Sequence, residues 1–410
     1  MRQNARLFSL ALFTFFFAVA VLGGLFWANM NLVRAFQGGE KFILGWKSTR
    51  NFIVQGISPY SDINTLDVQR EIYNRAARPG EEQYRYAEPL YFILLNIPIA
   101  SITDRRAALA LWMIFLQAST AGTLFLSLQL SKWRPGWLYL ILLVIFSYSW
   151  LPGAIAFQRA SALPIQMLIL LSALRAAEVD LDELAGALLL LAALNIEAFG
   201  LVILLVLFWA ASARRWRILT GFTMLFIFLA ISALVVLPAW PLQFVRAAYQ
   251  NLTNTAQPSL PLVFAAWFPA LGNRLAQLVI GIIGAVVLLE WYAVRNRHIY
   301  WLYWTISLTL VATPLLGLPV SPENQGIYLP AFILIISVME QRWQTFGRWL
   351  AIILLLLVWA GLWLISYQPG GSLQMNLLTL PVVFFIILYW IRWWVARPPR
   401  LWADTVPRIR

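Results

Sequence analysis

The chain has 410 residues, of which 61% are hydrophobic and 11% charged, and its mean hydropathy is +0.75. A soluble globule carries roughly a quarter charged residues, so these charges are too few to clothe one, and lipid is expected to be the solvent for much of the surface. The formal net charge is +13, but the Arg and Lys residues gather at the ends of apolar runs, which excludes a nucleic-acid partner; zero Cys and the lone His298 exclude disulfides, thiolate chemistry and His-rich metal sites, and no cofactor is expected.

The expected fold is all-α, a polytopic transmembrane helical bundle forming one membrane domain over residues 1–410. Apolar runs fall at about 7–29, 88–103, 106–130, 136–152, 160–176, 184–210, 216–238, 272–293, 299–317, 326–340, 346–366 and 376–395, which predicts about twelve spans. The first exceeds a signal-peptide core, lacks a small-residue cleavage site and follows Arg2 and Arg6, so it reads as a signal-anchor.

With the N-terminus inside, seventeen cations fall on the cytoplasmic side, among them Arg105, Arg106, Arg159, Arg214, Arg215, Arg217, Arg342 and Arg348. The short outer loops hold five: Lys132, Arg134, Arg175, Arg246 and Arg274. This bias predicts a multi-pass plasma-membrane protein with both termini cytoplasmic.

Two long outer segments follow, residues 30–87 and 239–271. In the first, Phe42, Ile43, Trp46, Phe52, Ile53 and Val54 recur at near-helical spacing beside Lys41, Lys47 and Arg50, which predicts an amphipathic surface helix. Gly56 to Pro59 break it, and Ser61 or Asp62 caps a second helix near 63–77, before Pro79-Gly80. In the second, Trp240 to Tyr249 is expected to form a surface helix, broken by Pro258 and Pro261.

With His and Cys chemistry excluded, carboxylates are the candidate acids and bases. Glu40 stands at the boundary between the first span and the surface helix, where ionisation costs more and a general base is plausible; the alternative is a first-turn acid. Glu88 precedes Pro89 at the mouth of the second span, with Arg85 and the Tyr84 and Tyr86 rings beside it, a rim suited to a sugar or phosphate or simply a capping acid. Glu197 lies inside the sixth run, in Asn195-Ile196-Glu197-Ala198-Phe199-Gly200, where Asn195 and Gly200 suggest a break; an acid at membrane depth is a functional candidate by default. Gln158-Arg159 sits in a turn between Pro152-Gly153 and Pro164, and Glu323-Asn324-Gln325 in a Pro-flanked polar break. Lys41, Arg85 and Arg246 are the candidate cations for a lipid phosphate. Walker and Rossmann glycine patterns are absent from the sequence.

The layout resembles the GT-C membrane glycosyltransferases, and is most similar to glycosyltransferase family 87, the polyprenyl-phosphate-mannose-dependent mannosyltransferases. The resemblance rests on the order of Gly56-x-Ser58-Pro59-Tyr60, Tyr86-x-x-Pro89-Leu90, Phe157-Gln158-Arg159, Ala185-Gly186, Ser259-Leu260 and Pro319-Val320-Ser321-Pro322 before Tyr328. Where the family has an Asp before its first surface helix, this chain reads Gly38-Gly39-Glu40-Lys41-Phe42, with Ile196-Glu197 near the family's Lys-Pro pair. The resemblance implies a GT-C bundle and transfer of a mannose-like sugar from a polyprenyl-phosphate donor to a glycan, lipid or protein acceptor on the outer face. Glu40 is then the base, and Lys41, Tyr60, Arg85, Tyr86, Glu88, Gln158, Arg159, Glu197, Arg246 and Glu323 are the substrate-binding set. The alternative is a non-catalytic relative acting as a subunit of a membrane complex, or a transporter.

Overall fold

A computed structural model describes the backbone of residues 2–35, 38–254, 260–295, 297–318, 321–366 and 378–396. The side chains of Arg2 and Arg6, and the positions Pro258, Ser259, Pro319, Val320, Arg397, Arg400, Arg408 and Arg410, lie outside what is described. Among the described residues there are seventeen α-helices, two short 3-10 segments and no strand.

Four helices are long and apolar enough to cross a membrane: Arg105–Leu130, Trp216–Val236, Gly272–Val294 and Pro322–Ser366. The count rises to six if two bent pairs each make one span, Val19–Ala35 with Glu40–Gln55 at 100° and Trp137–Ser149 with Leu151–Gln158 at 50°. Their outer faces are apolar: Met224 is 70% exposed and Val235 78%. These features are those of a multi-pass membrane protein.

The expectation of about twelve spans is therefore corrected to four to six. An apolar run measures composition, whereas a span also needs an unbroken helix of about 20 residues. Run 88–103 yields only the eleven residues Leu90–Ala100, with Pro98 inside. Run 184–210 splits into Asp182–Ala192 and Ile196–Ser212, because Asn195 caps the second by accepting from the Ala198 N–H. Run 299–317 yields Ile299–Ala312. Conversely, Leu329–Ser366 turns back on itself at Gln344 (φ 46°). Phe332 on one limb stacks on Phe146 and Trp359 on the other donates to Ser149, so the limbs lie side by side.

The chain forms two compact units. The first comprises Met1–Ser119, Phe157–Ala162 and Ala239–Leu252, the second the remainder. The first contains α1 (Arg2–Ala35), α2 (Glu40–Gln55), α3 (Asp62–Tyr73), α4 (Leu90–Ala100), the start of α5 (Arg105–Leu130) and most of a later helix, Trp240–Asn254.

Helix α2 begins after Gly39, whose φ of 86° suits glycine, and ends at Gly56 (φ 66°). Its buried face is Phe42, Ile43 and Trp46 followed by Ser48, Thr49 and Asn51. The expected apolar stripe is thus only half right, because Ile53 and Val54 are exposed while Asn64 of α3 satisfies Ser48 and Asn51. Ser61 caps α3 as expected, but the helix ends at Tyr73 rather than 77, where Asn74 takes a left-handed C-cap.

Helix α4 does not cross away from this layer. Glu88 O, before it, accepts from Tyr60, and Ala100 O and Ile102 O, at its far end, accept from Arg50 and Trp46 of α2. Arg105 then pairs with Glu71 at 2.8 Å. Residues 100–106 therefore share a face with the first loop, not the opposite one.

The second unit is built around stacked aromatics, Phe146 on Phe332 at 4.7 Å and Phe332 on Phe384 at 5.5 Å. Helices Asp182–Ala192 and Trp216–Val236 meet through glycines: a Cβ at Gly186 would stand 2.0 Å from Ile218 O, and one at Gly221 would stand 2.2 Å from Glu183 O. Here too the sides are corrected. Trp133 donates to Glu340 at 2.9 Å, so loop 131–136, expected outside, shares a face with loop 340–348, expected inside. Arg215 pairs with Asp180 and Asp182, joining 178–183 to 214–217 in the same way.

Candidate functional site

The first unit draws Glu40, Lys41, Gln158 and Arg159 together at the N-terminus of α2. The turn after Gln158 clamps that terminus: Gly39 N–H donates to Gln158 O at 2.9 Å and Lys41 N–H to Arg159 O at 3.1 Å. Gly38 is required by the fit, since a Cβ there would stand 2.5 Å from Gln158 O. Trp112 holds the turn's other end by donating to Ala160 O at 3.0 Å.

Glu82 joins the side chains. Its carboxylate takes Lys41 Nζ at 2.7 Å on one oxygen and the Arg159 guanidinium on the other. Burial alone would push this carboxyl upward in pKa; Lys41, and next Arg159, outweigh burial and hold it below its ordinary value. Tyr84, 7% exposed, lies against Arg159 at 3.4 Å, and Tyr73 donates to Glu82 O at 3.2 Å. Burial first, then the Glu82 charge, raises the Tyr84 hydroxyl, which stays neutral. Glu81 beside it is held by Arg75 through two short bonds of 2.7 and 2.6 Å and serves the loop.

Glu40 opens α2, and its Oε2 is buried with no hydrogen-bond partner. Its first-turn position is favourable for a carboxylate, but the first-turn N–H groups of Gly39 and Lys41 are engaged by the clamp, and the oxygen is left open. Gly38 and Gly39, immediately before it, line a cavity of about 410 Å³ with Leu32, Val33, Leu109, Met113, Phe157, Gln158 and Ala160. The lining is almost wholly apolar.

A second, polar cavity of about 220 Å³ gathers Tyr60, Arg85, Tyr86 and Arg246, together with Ser58, Ser61, Thr65, Gln243, Ala247 and Gln250. Tyr60 donates to Glu88 O at 2.7 Å, and the Glu88 side chain lies beside Tyr86. Burial first and Glu88 second raise the Tyr60 hydroxyl, which remains a donor.

Glu197 and Glu323 belong to neither cavity. Both lie in the second unit. Glu197 is in the first turn of Ile196–Ser212, directly after the break expected at Asn195. Glu323 is 2% exposed in a 3-10 segment, and its neighbour Asn324 accepts from Asn195 at 3.2 Å.

The residues missed in sequence are Glu82, Gln243 and Gln250. Glu82 carried no distinguishing local signal, being one of two adjacent acids after Pro79-Gly80. Gln243 and Gln250 were legible: with Trp240 and Ala247 they form a stripe at i, i+3, i+7 and i+10 of one helix. Among the described residues no three His, Cys, Asp or Glu side chains converge as metal donors.

No protein-family model, curated protein or solved structure matches the chain.

Proposed function

We propose that the protein is a membrane glycosyltransferase of GT-C type that moves a sugar from a polyprenyl-phosphate donor to an acceptor hydroxyl. The observation that carries this reading is the open, buried Glu40 carboxylate oxygen set directly after the glycines that line an apolar cavity, with Lys41 and Arg159 alongside. An apolar trough suits the first isoprenoid units of a lipid tail. Lys41 and Arg159 stand together at Glu82, and paired cations of this kind suit the leaving phosphate.

In the reaction, Glu40 takes the proton of the acceptor hydroxyl as its oxygen attacks the anomeric carbon. The bond from that carbon to the phosphate oxygen breaks, and the electron pair leaves with polyprenyl phosphate, beside Lys41 and Arg159. The charge bias supports placing both termini on the cytoplasmic side of the plasma membrane, with this site facing outward.

The test is release of polyprenyl phosphate from polyprenyl-phosphate mannose by the purified protein. Glu40→Gln should reduce turnover by about 10²-fold or more, the usual worth of a general base. Undiminished turnover in that variant sinks Glu40 as the base; no turnover by the wild type with any polyprenyl-phosphate sugar sinks the transfer reading.

A further inference from the structure

The polar cavity holds a second, separate function. We infer that it is a binding site for a phosphate group, presented by a lipid headgroup at the membrane surface.

The argument is an inventory of its hydrogen-bonding groups. Four hydroxyl protons are already committed: Ser58 donates to Gln243 Oε1 at 2.9 Å, Tyr60 to Glu88 O, Ser61 to Ser58 O and Thr65 to Ser61 O, while the buried Tyr86 hydroxyl lies beside the Glu88 side chain. The amide oxygens are taken too, Gln243 by Ser58 and Gln250 by Arg85 Nη1 at 2.8 Å. The open cationic and amide groups are N–H donors. Arg85 Nε is buried with no partner, Arg246 lines the cavity without an ion pair among the described residues, and Gln243 Nε2 likewise has no bond. Two guanidinium groups and an amide N–H give the cavity positive charge and charge-assisted donors, the groups that a phosphate oxyanion takes. The acids nearby are Asp62, 3.5 Å from Arg85 with its side chain 81% exposed, and Glu88.

Helix Trp240–Asn254 indicates where the phosphate comes from. Its Trp240, Gln243, Ala247 and Gln250 stripe faces the unit, while Leu242, Val245 and Tyr249 are 69%, 60% and 67% exposed. An exposed apolar stripe beside Arg246 is the face of a helix lying in the membrane interface, at the level where lipid phosphates stand.

The cavity shares no lining residue with the apolar one beside Glu40, and it does not depend on the transfer chemistry. The test uses the full chain in phosphatidylcholine nanodiscs. One arm titrates inorganic phosphate by calorimetry; the other counts retained phosphatidic acid by native mass spectrometry. Arg85→Gln and Arg246→Glu should each weaken binding at least about tenfold, the lower end for a hydrogen bond to a charged group. Arg246 is exposed, so its variant keeps the fold, and an unchanged elution volume verifies this. Glu40→Gln, which tests transfer, should leave phosphate binding alone. Arg-dependent retention of phosphatidic acid supports the lipid headgroup, and Arg-dependent binding of inorganic phosphate alone supports the anion site with a soluble source. No binding in either arm, or binding indifferent to both arginines, overturns the inference.

Discussion

Replacing Glu82 with Gln isolates the link that holds the candidate base in place. The carboxylate bridges Lys41 and Arg159, with side-chain exposures of 32% for Lys41, 32% for Glu82 and 22% for Arg159. Two bonds to charged groups are worth about 1.5–3 kcal/mol each when desolvated. Solvent reaches a third of this cluster, so screening cuts the total to about 2 kcal/mol. The Gln variant removes the carboxylate charge that the two adjacent cations share. The sign of the pH dependence follows from the depressed pKa of Glu82: its contribution is present above the unfolded value of 4.5 and is lost as pH falls through the lower folded value. Thermal unfolding in detergent should therefore show the variant less stable at neutral pH and equal to wild type at low pH. Equal stability at neutral pH, or a deficit that persists unchanged under acid, would refute the bridge as described.

Gly38→Ala should push the Gln158 turn off α2 and cost about 1–3 kcal/mol, read as faster hydrogen exchange at the Gly39 and Lys41 amides that the turn holds; unchanged exchange would show that the turn yields freely. Arg392→Met should destabilise by about 3–5 kcal/mol by stranding Glu290, 3% exposed and paired with it at 2.6 Å. Adding Glu290→Gln should restore most of the loss, and a double variant as unstable as the single would contradict that account. The chain has no Cys, so single-Cys labelling reads topology directly. Cys at Arg78 and Asp104 should label from one side, and Cys at Lys132 and Thr345 from the other, since the 26-residue α5 between 104 and 132 is long enough to cross. Labelling of 78 and 104 from opposite sides would overturn the placement of α4.

Local grammar made much of the first unit legible. Gly38-Gly39 before an acid, Ser61 before α3 and the apolar start of α2 each act through the nearest few residues. The break at Asn195 was legible for the same reason, because an Asn side chain caps within three residues. The Glu82 bridge was not, since it joins residues 41, 82 and 159 through a turn whose position depends on which way two earlier helices run. The lower half of α2 was misread because Ser48 and Asn51 are buried by virtue of Asn64, a partner 16 and 13 residues away.

Charge counting missed the sides of four loops for a specific reason. Once ion pairs place residues 100–106 and 157–160 with the first loop, Arg105, Arg106 and Arg159 leave the inner set. Once Trp133–Glu340 and Arg215–Asp182 place 131–136 and 178–183 with loops 340–348 and 214–217, Lys132, Arg134 and Arg175 join it. Three cations leave and three arrive, so seventeen against five is the same for both arrangements. The bias ranks orientations only when they differ in charge, and these two do not. What separates them is pairing. The arrangement in which Arg159 lies inside would leave Glu82 without one of its two cations and strip the clamp from Gly39 and Lys41, whereas the observed one satisfies all three. It also brings Arg159 beside Lys41 and Glu40, which the charge-count topology had set on opposite sides of the membrane, and without that placement there is no candidate site.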